Sequence, residues 1–366
     1  MQSNSNLNSF DPKGILPGND RHFRYIDMAY FIGIILVIWG HSHPLDSSWW
    51  GTWYSRLNGF IYTFHMPLYF FIGGYLMVHS KSIDKLGYKK WAVGKLWKFL
   101  VPYFVLTALA FVPKAILGDT SDAVELSIGY FLKTTFLIPR IGVWGHFWFI
   151  PTFLSLDIMW GVWRFLAKKS VYVYRIGLAI GVAVSFILAV YPIKTDWFVM
   201  YDFSQEAIFY ALGIVLALIR PFLWDKIWKN ILGILCCAVG TVLLYPLGNY
   251  MNRTSPVINF AVGLMLVWIC WSIALLMSKT SFTLPSKLTK FNFSIYIYSW
   301  PAQALLDAVL RRMGVNWLVI ITILFVAGFA VPLIIIFIYK KLRFLHCKFF
   351  DYLIGISTAN EKGAAS

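Results

Sequence analysis

Residues 316–339, NWLVIITILFVAGFAVPLIIIFIY, decide the fold class, because they carry no charged side chain over a length that crosses a lipid bilayer. Nine similar apolar stretches precede them. Across the 366 residues, 59% are hydrophobic and only 13% are charged. A soluble core cannot hide that much apolar surface in a chain of this length. The composition therefore excludes a soluble enzyme, a disordered protein and a disulfide-stapled secreted domain.

The ten apolar stretches predict transmembrane helices, since lipid tolerates only helices or closed barrels and these runs do not alternate as barrel strands do. The ninth stretch is short and relatively polar. Their predicted limits are 25–44, 59–78, 98–117, 146–166, 171–191, 204–220, 229–247, 256–277, 291–309 and 316–339. We expect an all-α polytopic membrane protein in which 21–350 form one ten-helix domain. Residues 1–20 are predicted to be a disordered tail, and residues 351–366 a cytoplasmic tail.

The basic residues predict the orientation of the helices. If the N-terminus is cytoplasmic, the inner segments contain 24 of the 32 Lys and Arg residues and the outer segments contain 8. This bias follows the positive-inside rule and predicts that both termini are cytoplasmic. The net charge of +16 is then explained by inner loops, without a nucleic-acid partner. No metal-ligand spacing is present, so no metal is expected. The sequence assigns no oligomeric state.

Four histidines fall where ionisable groups are costly. His41 and His43 end the first predicted helix, His65 lies in the second, and His146 opens the fourth. At 1.5 Å of rise per residue, all four imidazoles come to the outer half of the membrane. An ionisable group inside a membrane domain indicates a functional site by default. The alternative is that each histidine caps a helix by bonding a carbonyl group, and this alternative is strongest for His43.

Other polar and aromatic side chains allow two interpretations each. Asp157, midway along the fourth helix, must be paired, protonated or facing a wet cavity. The plain alternative is a buried hydrogen bond between helices. Glu206 opens the sixth helix near the outer face, where a surface position is the plain alternative. Three outer tryptophans could stack on a sugar ring or form an interfacial belt: Trp49, Trp50 and Trp53.

A basic segment, Lys81 to Lys98, precedes the third helix on the predicted cytoplasmic side. Its lysines could bind the phosphates of a nucleotide-like cofactor, or they could serve only to orient the helix. Both interpretations remain open at the level of the sequence.

Five motifs, in order along the predicted helices, resemble the acyltransferase-3 family of ten-helix integral-membrane proteins, in its glycan O-acetyltransferase branch. The resemblance covers most of the chain. The motifs are RYID at 24–27 before a helix ending in Gly40-His41, FHMPLYFFIGGYL at 64–76, Lys95 to Lys98 before LVPY at 100–103, HFWFIP at 146–151 and SIYI at 294–297.

The resemblance implies a reaction and a site. Similar proteins transfer acetyl, and sometimes other short acyl groups, from cytoplasmic acyl-CoA to sugars of O-antigens, capsules or exopolysaccharides. It implies that His41 is the catalytic base and that His65 and His146 are catalytic partners. Acetyl-CoA is the expected co-substrate, and the expected location is a bacterial inner membrane. The donor-binding residues are predicted to be Arg24, Lys95 and Lys98.

Imidazole suits this reaction because its unperturbed pKa of about 6.5 leaves it neutral and basic at physiological pH. His65 or His146 would stabilise the oxyanion or orient the substrate. The transfer could be direct, or His41 could be acylated first and pass the group on. The expected partners are acyl-CoA, a glycan or lipid-linked sugar acceptor, and membrane lipids.

Two departures from the family pattern keep other functions open. Tyr30 stands where many members have arginine or lysine, eleven residues before the catalytic histidine. The late motif often continues to a histidine before proline, but here it reads Ser299-Trp300-Pro301. A catalytically lapsed homologue is therefore one alternative. A transporter or flippase of a lipid-linked sugar is another, although such proteins often contain internal repeats and we find none.

Overall fold

Regular structure in this chain is helical throughout the part that the computed structural model describes, residues 23–116, 125–219, 227–247, 255–342, 344 and 346–356. Short 3₁₀ and π segments join several of the helices. The α-helices are α1 Arg24–His41, α2 Trp53–Tyr62, α3 His65–Val78, α4 Lys81–Leu86, α5 Tyr88–Ile116, α6 Ile128–Leu132, α7 Phe149–Ala167, α8 Val171–Val190, α9 Met200–Ile219, α10 Ile227–Leu244, α11 Pro256–Met277, α12 Leu284–Leu288, α13 Asn292–Arg312, α14 Trp317–Lys341 and α15 Lys348–Ile354.

A helix lies at each of the ten predicted spans, which confirms the all-α polytopic fold. The described residues contain eight helical segments long and apolar enough to cross a membrane: Trp53–Val78, Tyr88–Ala115, Gly145–Ala167, Val171–Val190, Trp197–Ile219, Ile227–Leu247, Pro256–Met277 and Trp317–Lys341. The two remaining predicted spans correspond to α1, with 18 residues, and α13, with 21, which are more polar. The cytoplasmic placement of both termini stays a prediction.

The second predicted span is not one continuous helix. It breaks at Thr63–Phe64 into α2 and α3. Pro67 explains the break, because it has no N–H to donate to the carbonyl group of Thr63 four residues earlier. His65 therefore stands at the first position of α3, next to the break, rather than inside a regular helix.

Helix α5 begins at Tyr88, ten residues before the predicted limit of the third span. Lys95 and Lys98 are consequently inside a long helix and not in a connecting loop. Their side chains project from a rigid element, which matters for the site described below.

Helix α3 lies in the centre of the bundle, where all but one of its residues are buried. It packs against α1, α7, α9 and α11. Its contact with α9 is unusually close, because a Cβ at Gly74 would lie 1.9 Å from the Tyr210 carbonyl oxygen and a Cβ at Gly213 would lie 2.0 Å from that of Phe71. By contrast, α8 and α10 expose mostly apolar side chains, as lipid-facing helices do.

The C-terminal domain boundary predicted at residue 350 falls inside α15. Tyr298 donates a hydrogen bond to the carbonyl oxygen of Leu353 at 2.8 Å, and Tyr339 donates one to Asp351 Oδ1 at 2.7 Å. Residues up to 356 thus belong to the folded body, because α15 packs against α5. The predicted tail at 1–20 and the rest of the C-terminal one, 357–366, lie outside the described residues.

Candidate active site

The C-terminal end of α1, which carries His41, is held by side chains from other helices. Asn58 Nδ2 donates to the Gly40 carbonyl at 2.8 Å, and Tyr54 Oη donates to the Trp39 carbonyl at 3.0 Å. Gln303 Nε2 on α13 donates to the Ile38 carbonyl at 3.1 Å. A helix end leaves its last carbonyl groups without intrahelical partners, and these donors satisfy them. The position of His41 is therefore fixed by three separate contacts.

His41 lies among aromatic and imidazole rings. Its Nδ1 is 3.2 Å from Tyr62 Oη, and its ring centroid is 4.9 Å from that of Trp300 and 6.0 Å from that of His146. Its Nε2 has no hydrogen-bond partner among the residues that the structure describes. If Nδ1–H donates to Tyr62, Nε2 keeps its lone pair and can act as a base.

His65 and His146 complete the cluster, each with a free position. Nδ1 of His65 donates to the Ile61 carbonyl at 3.0 Å, which leaves Nε2 as an acceptor, and its ring centroid is 4.8 Å from that of Tyr62. Both ring nitrogens of His146 are buried without a partner in the described part of the chain. The structure thus brings together the three histidines predicted to be catalytic, although their roles stay predictions.

His43 lies at the edge of this cluster and lines neither cavity, although its ring centroid is 6.3 Å from that of Trp300. Its Nδ1 lies 3.0 Å from the carbonyl oxygen of Pro44, and its ring stacks on Trp49 with centroids 4.5 Å apart. Both contacts stabilise the loop after α1.

The three histidines line a cavity of about 940 Å³, here called the outer cavity because it opens toward the predicted outer face. Arg140 lines this cavity and forms a bidentate ion pair with Asp202. Its guanidinium group stacks on Trp148, 4.6 Å from the ring centroid. Aromatic and polar side chains complete the lining, including Trp49, Trp50, Tyr201, Glu206, Tyr245 and Asn259.

A second cavity, of about 460 Å³, opens on the opposite side and is called the inner cavity. Lys95 and Lys98 line it together with Tyr30 and Asp157. Arg24, the third residue predicted to bind the donor, is not part of this lining. Its guanidinium group donates to the Phe282 carbonyl oxygen at 2.8 Å, so it contacts the loop before α12 instead.

The two lysines of the inner cavity have different surroundings. Lys95 Nζ lies 2.7 Å from Asp157 Oδ2, and the other oxygen of this carboxylate accepts a 2.7 Å hydrogen bond from Tyr210. Asp157 is therefore paired, one of the three states that its position required. Lys98 has no carboxylate partner among the described residues and packs its Nζ 5.7 Å from the Phe99 ring centroid. Lys98 is thus available to a ligand of the inner cavity, as is Lys290, an exposed lysine in the same lining.

The inner and outer cavities adjoin at the histidine cluster. Met66 and Tyr296 line both cavities, and Tyr296 Oη donates to the His146 carbonyl at 2.7 Å. Val37 lines the inner cavity one helical turn before His41, a distance of about 6 Å along α1. A group that reached the end of the inner cavity would therefore stand close to the base.

Sequence reasoning missed two members of the cluster, Tyr62 and Trp300. Tyr62 precedes His65 by three residues, a spacing that puts both on one side of a helical segment. Trp300 was noted only because a histidine often precedes the proline of the late motif. Its contact with His41 joins α13 to α1 and follows only from the tertiary packing.

Comparison with protein families identifies the chain. The profile of the acyltransferase-3 family, described as an acyltransferase domain, matches residues 23–338. This range covers most of the chain and includes all the residues of both cavities except Gly355. The chain belongs to this family and is a multi-pass membrane acyltransferase. Searches of curated proteins and of solved structures return no match.

Proposed function

We propose that this member of the acyltransferase family transfers an acetyl or other short acyl group from cytoplasmic acyl-CoA to a sugar hydroxyl of an envelope polysaccharide. The polysaccharide would be an O-antigen, a capsule or an exopolysaccharide, and the protein would act in the bacterial inner membrane. His41 is the proposed general base, with His65 and His146 beside it.

The single observation that carries the proposal is the meeting of two chemically different cavities at the histidine cluster. The inner cavity is narrow and contains the cation of Lys98, which suits a phosphate-bearing donor. The outer cavity has twice the volume and carries aromatic and hydrogen-bonding side chains, which suit a sugar. Donor and acceptor would approach His41 from opposite sides of the membrane.

The residues support a direct transfer step. His41 Nε2 takes the proton from the acceptor hydroxyl, and the resulting oxygen nucleophile attacks the thioester carbonyl carbon. The carbon–sulfur bond then breaks, and the CoA thiolate leaves with the proton that His41 holds. The neutral tautomer of His146 that carries its proton on Nε2 would donate to the developing oxyanion, and the Nε2 acceptor of His65 would orient the substrate. The alternative relay, in which His41 carries the acyl group, uses the same geometry.

Lys98 offers an explanation for the departure at Tyr30. The family often has a cation at that position of the first helix, and here Tyr30 lines the inner cavity that Lys98 also lines. A cation on α5 can serve the same cavity as a cation on α1. We therefore favour Lys98 over Arg24 as the residue that binds donor phosphate.

The proposal is tested by mass spectrometry of envelope glycans from cells that make either the wild-type chain or His41→Ala at matched membrane levels. An ester-linked gain of about 42 Da that occurs only with the wild type, and is lost in mild base, would support O-acetylation with His41 in the reaction. The same gain with both chains would contradict the role of His41.

A control variant, His43→Ala, separates loss of the base from loss of any imidazole near the outer face. His43 stacks on Trp49 and lines neither cavity, so we expect its removal to leave the glycan gain in place. No gain with any chain, in cells that supply the candidate glycans, would favour a lapsed homologue or a transporter instead.

A further inference from the structure

Two buried oxygen atoms of the outer cavity have no partner, and they are distinct from the histidine cluster. Glu206 Oε2 on α9 and Asn259 Oδ1 on α11 are both buried without a hydrogen bond to any residue that the structure describes. Both residues line the outer cavity. A buried acceptor left unsatisfied costs free energy, so such atoms indicate a ligand that donates hydrogen bonds to them.

The charges around Glu206 are otherwise balanced. Asp202 lies one turn earlier on the same helix, but its carboxylate is engaged by Arg140 in the bidentate ion pair. Arg56, another cation in the lining, is itself exposed to solvent. Glu206 is 8% exposed. It is therefore the surplus acidic group deep in the cavity.

We propose that Glu206 and Asn259 form a subsite in the outer cavity that hydrogen-bonds the hydroxyl groups of an uncharged sugar ring. This inference rests on the proposed function, since it names the class of acceptor. A carboxylate on the sugar would be buried beside Glu206 without a free buried cation among the described residues, because Arg140 is engaged by Asp202, and burying an unpaired charge is unfavourable. A neutral ring supplies the donors that both oxygen atoms lack.

The surrounding side chains fit a sugar ring. Tyr201, Tyr245 and Phe260 line the same cavity and offer apolar faces for the C–H groups of a pyranose. Trp50, with 70% of its surface exposed, lies farther along the lining, where a following sugar unit could stack. The subsite therefore combines two acceptor atoms with aromatic walls, which is the composition expected for saccharide recognition.

The test compares wild type, Glu206→Leu and Asn259→Leu, each as the full chain in lipid nanodiscs. The probes are octyl glycosides of glucose, galactose, mannose, N-acetylglucosamine and glucuronic acid. Equilibrium binding is followed by tryptophan fluorescence, which needs no acyl donor. Acetyl transfer from labelled acetyl-CoA is measured on the same set of glycosides.

We expect wild type to bind at least one neutral glycoside about tenfold more tightly than the glucuronide, the scale set by an unpaired buried polar group. Glu206→Leu and Asn259→Leu should each weaken binding of the neutral glycoside severalfold. Equal binding of neutral and acidic glycosides by wild type, no binding of any neutral glycoside, or unchanged neutral binding in either variant would overturn the inference.

Two further measurements make the result specific. Thr322→Val on α14 is the control, because its exposed hydroxyl group donates to the Leu318 carbonyl at 3.0 Å and lines neither cavity, so no change in glycoside binding is expected. Affinity for acetyl-CoA should be equal in all variants, which excludes a general loss of structure. Selective glycoside binding without acetyl transfer would uphold the subsite while contradicting the proposed function.

Discussion

His41 depends on one side chain for its tautomer, since Tyr62 is its hydrogen-bond partner at Nδ1. A base of this kind needs its proton on the nitrogen that faces away from the substrate. Tyr62 is also in contact with the ring of His65, so it links two of the three histidines. Tyr62 therefore helps to orient the imidazole rings of both His41 and His65.

Tyr62→Phe should lower kcat of the proposed transfer about fivefold with little change in KM, because it removes one orienting hydrogen bond worth roughly 1 kcal/mol. Steady-state acetyl transfer measures the effect. Tyr172→Phe, at an exposed position on α8, is the control and should behave as wild type. A wild-type kcat in Tyr62→Phe would show that the tautomer is set in another way.

Lys95 and Lys98 should respond differently to the same replacement. Lys98→Met is expected to raise the KM for acyl-CoA about tenfold at unchanged protein level, because a charge-assisted contact to phosphate is lost. Lys95→Met leaves the buried Asp157 carboxylate without its ion pair, so it should lower thermal stability. The free energy of unfolding should fall by at most about 3 kcal/mol, because the Lys95 side chain is 31% exposed. Thermal unfolding and donor titration in nanodiscs distinguish the two effects.

A double replacement provides the check on Lys95. Lys95→Met combined with Asp157→Leu removes both charges and should recover much of the stability that the single replacement loses. If the double variant is less stable than Lys95→Met alone, Asp157 has a structural role through Tyr210 rather than through the ion pair.

At the scale of helices, the contact of α3 with α9 is the tightest that the described residues show. Gly74 and Gly213 allow the two backbones to touch, and small residues are what membrane helices use for such approaches. The contact also sets the relative heights of His65 on α3 and Glu206 on α9. The two elements thereby join the histidine cluster to the proposed sugar subsite.

Gly74→Ala should destabilise the protein, because the added methyl group would lie 1.9 Å from a backbone oxygen that no rotamer change can move. We expect a loss of about 2–3 kcal/mol, typical of overpacking in a core, measured by thermal unfolding in detergent. Gly94→Ala on α5 is the matched control, since nothing lies within 4 Å of its new Cβ. Equal stability of the two variants would contradict the close packing.

The break between α2 and α3 is an element that hydropathy alone does not reveal. The predicted span ran through it, because its side chains are apolar enough to continue a helix. Pro67 carries the only local signal. Similarly, the early start of α5 was missed, because lysines within a helix near the membrane surface resemble a loop in charge pattern.

At the scale of the whole molecule, Met66 and Tyr296 separate the two cavities. A donor bound on one side and a sugar on the other can react only across this divide. Met66 is an unbranched side chain that fills the gap, so its length limits the space for an acyl group near His41. We therefore expect acyl-chain selectivity to depend on the side chains where the two cavities meet.

Met66→Ala should raise the ratio of butyryl to acetyl transfer about tenfold, since each methylene accommodated in an apolar pocket changes selectivity by one to two orders of magnitude at most. Competition between butyryl-CoA and acetyl-CoA measures the ratio. Met159→Ala, on the exposed face of α7, should leave it unchanged. A ratio equal to that of wild type in Met66→Ala would remove Met66 from the acyl-binding region.

The all-helical membrane fold and the residue types of the site follow from the amino-acid sequence alone. Apolar runs of bilayer length, together with the cost of unsatisfied backbone groups in lipid, leave little choice of secondary structure. The same cost makes each intramembrane histidine conspicuous, so His41, His65 and His146 could be named before any contact was known.

Which side chains meet, and which already have an ion-pair or hydrogen-bond partner, depends on how the helices pack in three dimensions. Lys95 forms an ion pair with Asp157, Lys98 has no carboxylate partner among the described residues, and Arg24 donates to a backbone carbonyl. Residue type alone does not distinguish these three basic residues. Cavities arise where helices from distant parts of the chain fail to fill the space between them. Their position depends on helix packing across many residues, which no local pattern encodes.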